Sequence, residues 1–556
     1  MNTYQTKNRK KGFITVLAAA AAVALVCGGH AGATTTVNTI WIGPSGNSSQ
    51  GGSWDTSANW QSSFSANSTN YTGHWIPGTN GTGSYDSSIT PSGPSGGYSD
   101  SGYIMGEAGN STGITVTMTG NYSADASYLN GLRLNSGFHY STAPDPNSPV
   151  TLNIGPGANL PTGLSMGGDS IYGATVNVQG GTVTGGFDVG AGISAGSYGQ
   201  STSTLNVSSG SINMPSSQWG FSVGNGGSNG VLNVSGTGQV NVGYPGSIVL
   251  GASAPVTTAH QGTLIGSGTL NQTGGTINVN RGIFVGYDTV GTYNLSAGTA
   301  TVGGIEVASY GQGTFSLSGT GVLNTTGGLS IAGLGEQGIN AGASGNPTGL
   351  AVITGGTLNA VSLSSGNSVG SGTAELQVVG SAASLNFQAG AGSSAMRTFG
   401  NSLLDFQIGS SGVSTIVADG GGSTSTQNDT RDVVALSGTL ELDLLNGFTP
   451  AKGAIYTLIS TNVVTGTGAA YMGIVTTNTL LTNYNNQGNV QNTGLSLASA
   501  DAADWQLLVN TLGSGLSETT VLQAQYIGPV PEPATLGLMA MGSLGILLLG
   551  RKRKPA

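Results

Sequence analysis

The amino-acid sequence predicts an all-β chain: a right-handed parallel β-solenoid with an N-terminal cap and a C-terminal β region, followed by a C-terminal transmembrane helix. Three observations carry this expectation. A phrase of three short segments, each alternating apolar and polar residues, returns along the middle of the chain, with copies starting at Thr269, Thr292 and Thr314. Glycine makes up 99 of the 556 residues and falls between those segments. The last apolar run, Ala534 to Gly550, ends on four consecutive cations. Period-two alternation points one set of side chains inward and the other outward. Glycine permits tight corners, so each phrase reads as one coil whose apolar face is buried only when coils stack.

Residues 1–33 read as a signal peptide. Lys7, Arg9, Lys10 and Lys11 precede an apolar run from Phe13 to Cys27, and Ala31 and Ala33 supply the small residues of a cleavage site for signal peptidase. The alternative, acylation at Cys27, places Val26 where such signals want a small residue. Cleavage before Thr34 removes the single cysteine, which excludes disulfides, thiolate metal sites and a cysteine nucleophile from the mature chain.

Charge narrows the partners. Eight of the 13 Lys and Arg residues lie in the two terminal segments, leaving Arg133, Arg281, Arg397, Arg431 and Lys452 scattered through a chain with 22 acidic residues. Phosphate backbones are bound by clustered cations, so nucleic acid is not an expected partner. The 37% hydrophobic content and its regular spacing argue against disorder.

Residues 34–110 form the expected N-terminal cap. Four of the six tryptophans stand here, at Trp41, Trp54, Trp60 and Trp75, and clustered aromatics read first as a hydrophobic plug, with stacking of Trp54 or Trp60 on sugar rings as the alternative. Residues 111–400 carry the repeats. Thr175-Val176-Asn177-Val178 is followed by Gly180-Gly181-Thr182-Val183, and the phrase returns at Thr204, Val231, Thr269, Thr292 and Thr314, with a weaker copy at Leu350. Longer gaps, after Pro245 and after Gly333, read as loop insertions that leave each rung intact. Asparagine recurs in the first segment at Asn153, Asn177, Asn206, Asn233, Asn271 and Asn294, which predicts a hydrogen-bonded row of amides along one outer face. Residues 401–528 change phrase, through Asp432 to Leu442, Gly453 to Ile459 and Trp505 to Val509, and predict antiparallel or continued strands that cover the open end.

Catalytic constellations are sparse, and neither an enzyme activity nor a cofactor is expected. His74, His139 and His260 stand singly, without the second ligand that zinc needs. Asp419, Asn428, Asp429 and Asp432 gather oxygen donors in one polar loop, a candidate for Ca²⁺ weighed against a plain solvated loop, and no metal site is assigned. Polysaccharide cleavage needs paired carboxylates, or an acid and a base, in one groove. Asp288 with Arg281, and Glu306 one coil later, is the best available set.

Residues 529–556 read as an address. Val530-Pro531-Glu532-Pro533 leads into the apolar run, which spans roughly 26 Å as a helix, near the short limit for a bilayer. Arg551-Lys552-Arg553-Lys554 stops transfer and keeps that end cytoplasmic. This order resembles the PEP-CTERM sorting signal, and the spacing of Trp41, Trp54 and Trp60 resembles the opening of autotransporter-like β-helical surface proteins. The resemblance implies processing by an exosortase, a membrane peptidase, at an inner-membrane intermediate, and delivery to the cell surface or outside the cell.

Together these readings predict an exported, non-enzymatic surface or matrix component, structural or adhesive, associated with extracellular polysaccharide. The alternatives from other classes are a polysaccharide-degrading enzyme and a non-catalytic glycan-binding protein on the same scaffold.

Overall fold

The computed structural model describes residues 114–120, 129–134, 149–161, 164–166, 173–185, 187–191, 202–214, 221–225, 228–252, 266–333, 347–367, 372–389, 394–420, 434–463, 474–476, 494–512 and 518–528, with the strand paths of 36–41, 52–53, 60–66, 69–73 and 99–104. The fold is all-β. Among the described residues, one 3-10 turn at Leu445–Gly447 is the helical element, and no helix is long and apolar enough to cross a membrane. The expected signal peptide with Ala31 and Ala33, and the expected membrane helix and tail of residues 529–556, lie outside the described residues.

Each repeat lays down three strand segments, and each segment pairs in parallel with its counterpart in the next repeat. The first runs Thr175, Thr204, Val231, Thr269, Thr292, Thr314, Leu350, residue by residue in register. The second pairs Val183 with Ile212, then Val240, Ile277, Ala300, Leu323 and Leu358. The third belongs to a separate sheet and runs Phe187, Phe221, Ile248, Ile283, Ile305, Leu329, Leu363, Met396, Val434. In several repeats the first two segments are one long strand, such as Val290–Val302, that changes register midway. Gly298 lies at that bend with φ +84°, and a Cβ there would meet the Gly275 carbonyl oxygen at 2.5 Å.

Alternation within each segment builds the core. Val176, Leu205, Leu232, Leu270, Tyr293, Phe315, Ala351, Leu376, Leu404 and Leu440 stack in one inward column and are all buried. Full burial of each Leu or Val side chain contributes about 1.5–3 kcal/mol, and one repeat alone has nothing to bury it against.

The corner between the third segment and the next first segment explains a second glycine population. Gly286 turns there with φ +74°, and the same position is Ala308 and Ala332 in the next two repeats, at φ 62° and 49°. The following strand approaches so closely that a Cβ on Gly291 would lie 1.9 Å from the Gly286 nitrogen. Two backbones touch at this corner, and no side chain fits between them.

The longer gaps leave the pairing intact. Asn229 pairs with Ser267 and Gln312 with Thr348 across these two insertions, with register unchanged on either side. Parallel pairing also continues past residue 400, from Leu376 to Leu404 to Leu440 to Leu497. On the second-segment ladder it ends at Ile455–Val463, which pairs in parallel with Ile416 and Val417 on one side and antiparallel with Glu518–Tyr526 on the other. Trp505–Leu512 completes an antiparallel trio. Trp505 is buried there between Tyr456 and Tyr526, at ring distances of 6.0 and 5.1 Å. At the other end Thr36–Trp41 pairs antiparallel with Trp60–Ala66, opposing Trp41 to Trp60, and in parallel with Ser99–Ile104. Trp54 and Trp75 lie outside the described residues.

Candidate functional site

The outward columns decide what the stack presents. Asn177 donates through Nδ2 to Oδ1 of Asn153 at 2.8 Å, and the same bond repeats from Asn206 to Asn177, Asn233 to Asn206, Asn271 to Asn233 and Asn294 to Asn271. The six asparagines expected to stack do so. A second row runs along the second segment, from Asn278 to Asn241 to Asn213 and, beyond Thr301, from Asn386 to Asn359 to Asn324. Sequence reading missed this row, although its signal, an Asn in the second segment, was present in the same repeats. Each interior amide donates one hydrogen bond along its row and accepts another, and each such bond adds about 1 kcal/mol.

The best sequence-derived set, Arg281, Asp288 and Glu306, falls on the outer face of the third-segment sheet and the corner beside it. Phe284 takes the outward middle place of Ile283–Val285 and pairs directly with Glu306 in Ile305–Val307. Tyr287 and Tyr310 occupy equivalent corners of consecutive repeats, tied by a 2.9 Å bond from the Tyr310 N–H to the Tyr287 carbonyl. The Tyr287 ring stands edge-on to Phe284 at 5.7 Å and to Tyr310 at 5.5 Å, and all three rings are half-buried. The Arg281 guanidinium lies 5.9 Å from the Phe284 ring centre. Burial raises the Tyr287 phenol above its ordinary pKa, the charges of Asp288 and Glu306 and the neighbouring Tyr310 phenol push the same way, and Arg281 opposes them. The charged trio therefore converges on an aromatic cluster that the sequence reading did not include. Its signal was a tyrosine at the same corner of two successive phrases.

A third cluster follows on the first-segment column, where Asp405 pairs with Gln377 on one side and Glu441 on the other. Asp405 is only 3% exposed; its Oδ2 accepts from Gln407 Nε2 at 2.7 Å, and its buried Oδ1 has no hydrogen-bond partner. Burial, followed by the charges of Asp443, Glu441 and Glu375, pushes its pKa up to about 6 against the opposing Gln407 bond. Glu441 and Asp501 shift upward as well, each chiefly by burial. Among the described residues no group of three or more His, Cys, Asp or Glu side chains is arranged to hold a metal ion. Asp419 sits in Ile416–Gly420, whereas Asn428, Asp429 and Asp432 lie outside the described residues.

The address residues Val530, Pro531, Glu532, Pro533, Arg551, Lys552, Arg553 and Lys554 also lie outside the described residues, and their reading comes from comparison. Residues 529–554 match the family model of the PEP-CTERM protein-sorting motif. This signal implies an exported protein sorted to the cell surface or beyond it and processed by an exosortase, a membrane peptidase. No curated protein matches the chain.

Proposed function

We propose that this chain is an exported, non-enzymatic structural or adhesive component of the cell surface or extracellular matrix, whose body is a right-handed parallel β-solenoid. The sorting motif at residues 529–554 is the observation that carries the reading. It is supported by three parallel ladders in constant register, and parallel crossovers of this kind are right-handed in nearly all folds. Amide rows bonded to one another from repeat to repeat fit a scaffold role better than a reactive one. In this reading signal peptidase removes residues 1–33, the helix of residues 534–550 holds an inner-membrane intermediate, and exosortase cleavage releases the body outward.

The test is the intact mass and fraction distribution of the chain in a host that carries an exosortase, beside a variant with Pro531-Glu532-Pro533 replaced by alanines. Loss of the tail from the native chain and its retention in the variant are expected. A native chain that keeps residues 534–556 in the membrane fraction would sink the exosortase reading.

A second reading, a glycan-binding surface protein, is favoured by the partly exposed rings of Phe284, Tyr287 and Tyr310 among hydrogen-bonding charges.

A further inference from the structure

We propose that Tyr287 and Tyr310, with Phe284, Arg281 and Glu306 beside them and Asp288 at the rim, bind a neutral pyranose unit of an extracellular polysaccharide. The proposal rests on the reading of the body as an exported surface component and names its ligand class. A pyranose ring offers an apolar C–H face to an aromatic ring and a belt of hydroxyls to polar groups. The cluster supplies both halves: half-buried rings set edge to face at 5.7 and 5.5 Å, and two carboxylates and a guanidinium that accept from and donate to hydroxyls.

Two features make it a preformed surface. The tyrosines stand at equivalent corners of adjacent repeats and are tied through the 2.9 Å bond between their backbones. Phe284 and Glu306 are fixed by register on paired strands. Little ordering is left to binding, which lowers its cost.

Charge selects the ligand. A uronate-rich glycan would meet a chain with 22 acidic residues and few cations outside its ends. A cationic ligand would compete with Arg281 for the Phe284 face. A neutral hexose polymer meets neither obstacle.

Affinity electrophoresis of the full chain recovered from its host, in gels containing laminarin, dextran or polygalacturonate, tests the proposal. At least one neutral glucan should retard the native chain, and polygalacturonate should not. Tyr287→Ala with Tyr310→Ala should weaken retardation about tenfold, whereas Tyr287→Phe with Tyr310→Phe, which keeps both rings, and Tyr244→Ala, at an exposed tyrosine elsewhere, should leave it nearly unchanged. Arg281→Ala with Asp288→Ala, at two exposed positions, should weaken it severalfold without risk to the core. No retardation by either neutral glucan, or undiminished retardation of both the double-Ala ring variant and the Arg281/Asp288 variant, overturns the site. Cell fractionation of the same variants reports separately on sorting, which the site should not affect. Release of reducing ends from laminarin or dextran by the native chain would overturn the non-catalytic reading while leaving ring-dependent binding in place.

Discussion

The phenol of Tyr293 donates a 2.8 Å hydrogen bond to Oε1 of Gln272 inside the apolar column, one repeat away and fully buried at both ends. Gln272 stands in register with Val234 and Leu295, where other repeats place an aliphatic side chain. Its Nε2 donates to the Thr299 carbonyl at 3.1 Å, so the amide is held at both ends. Burial drives the Tyr293 pKa upward and keeps the phenol protonated, as a donor must be.

Tyr293→Phe should therefore leave a buried acceptor without its donor and destabilise the chain by about 1–3 kcal/mol. Adding Gln272→Leu should recover most of that loss, because both polar groups then disappear together. A thermal-denaturation cycle of the two single variants and the double variant checks the coupling; purely additive losses would contradict it.

The amide row gives a pH-dependent variant. Asn233 donates to Asn206 at 2.8 Å and accepts from Asn271 at 2.9 Å. Asn233→Asp keeps the acceptor and turns the donor into a carboxylate oxygen facing another oxygen. A loss of about 1–3 kcal/mol is expected at pH 7, with partial recovery below about pH 4 as the acid gains its proton. Melting temperatures of the variant and the native chain at both pH values check this.

Asp405 predicts the pH profile of the native chain. Its folded pKa of about 6 lies above the ordinary aspartate value of 3.8. Between these values the folded state holds more protons than the unfolded state, so stability falls as pH rises through the window. The loss amounts to at most about 3 kcal/mol, complete above pH 6 and absent below about pH 4. Glu441 and Asp501 push in the same direction. Asp405→Asn should flatten this part of the profile and raise stability at pH 7; an unchanged slope between pH 4 and 6 would assign it elsewhere.

The crowded corner separates two superficially similar changes. Gly291→Ala drives a methyl into the Gly286 backbone and should cost about 1–3 kcal/mol or more. Ala308→Gly, at a position already turned to φ 62°, relieves left-handed strain against a loss of chain stiffness and should change stability by less than about 1 kcal/mol. Denaturant midpoints of the two variants give the comparison.

Much of this fold was legible because its grammar is local. Asn153 through Asn294 share one position in one phrase, and stacking in register turns a recurrence in sequence into neighbours in space. The second row was harder to see because Thr301 interrupts it, and because the second segment follows the bend at variable distance. The aromatic cluster lay deeper still. Arg281, Asp288 and Glu306 were visible as charges in a neutral stretch, but their convergence on Tyr287 follows from a corner that joins two sheets, which alternation alone does not describe. Gln272 interrupts the alternation of its phrase, and only the Tyr293 hydroxyl across from it explains why a polar residue occupies an inward place.

The strand Ile455–Val463 has a consequence beyond closing the column. A stack of identical parallel ladders offers at its last rung the same surface that accepted every rung before it, and so would accept another molecule as readily as its own next turn. By pairing in parallel on one side and antiparallel on the other, this strand ends that succession on the second-segment ladder. On that ladder the number of rungs is thereby set by how many phrases the gene encodes, and not by how concentrated the protein becomes where it accumulates.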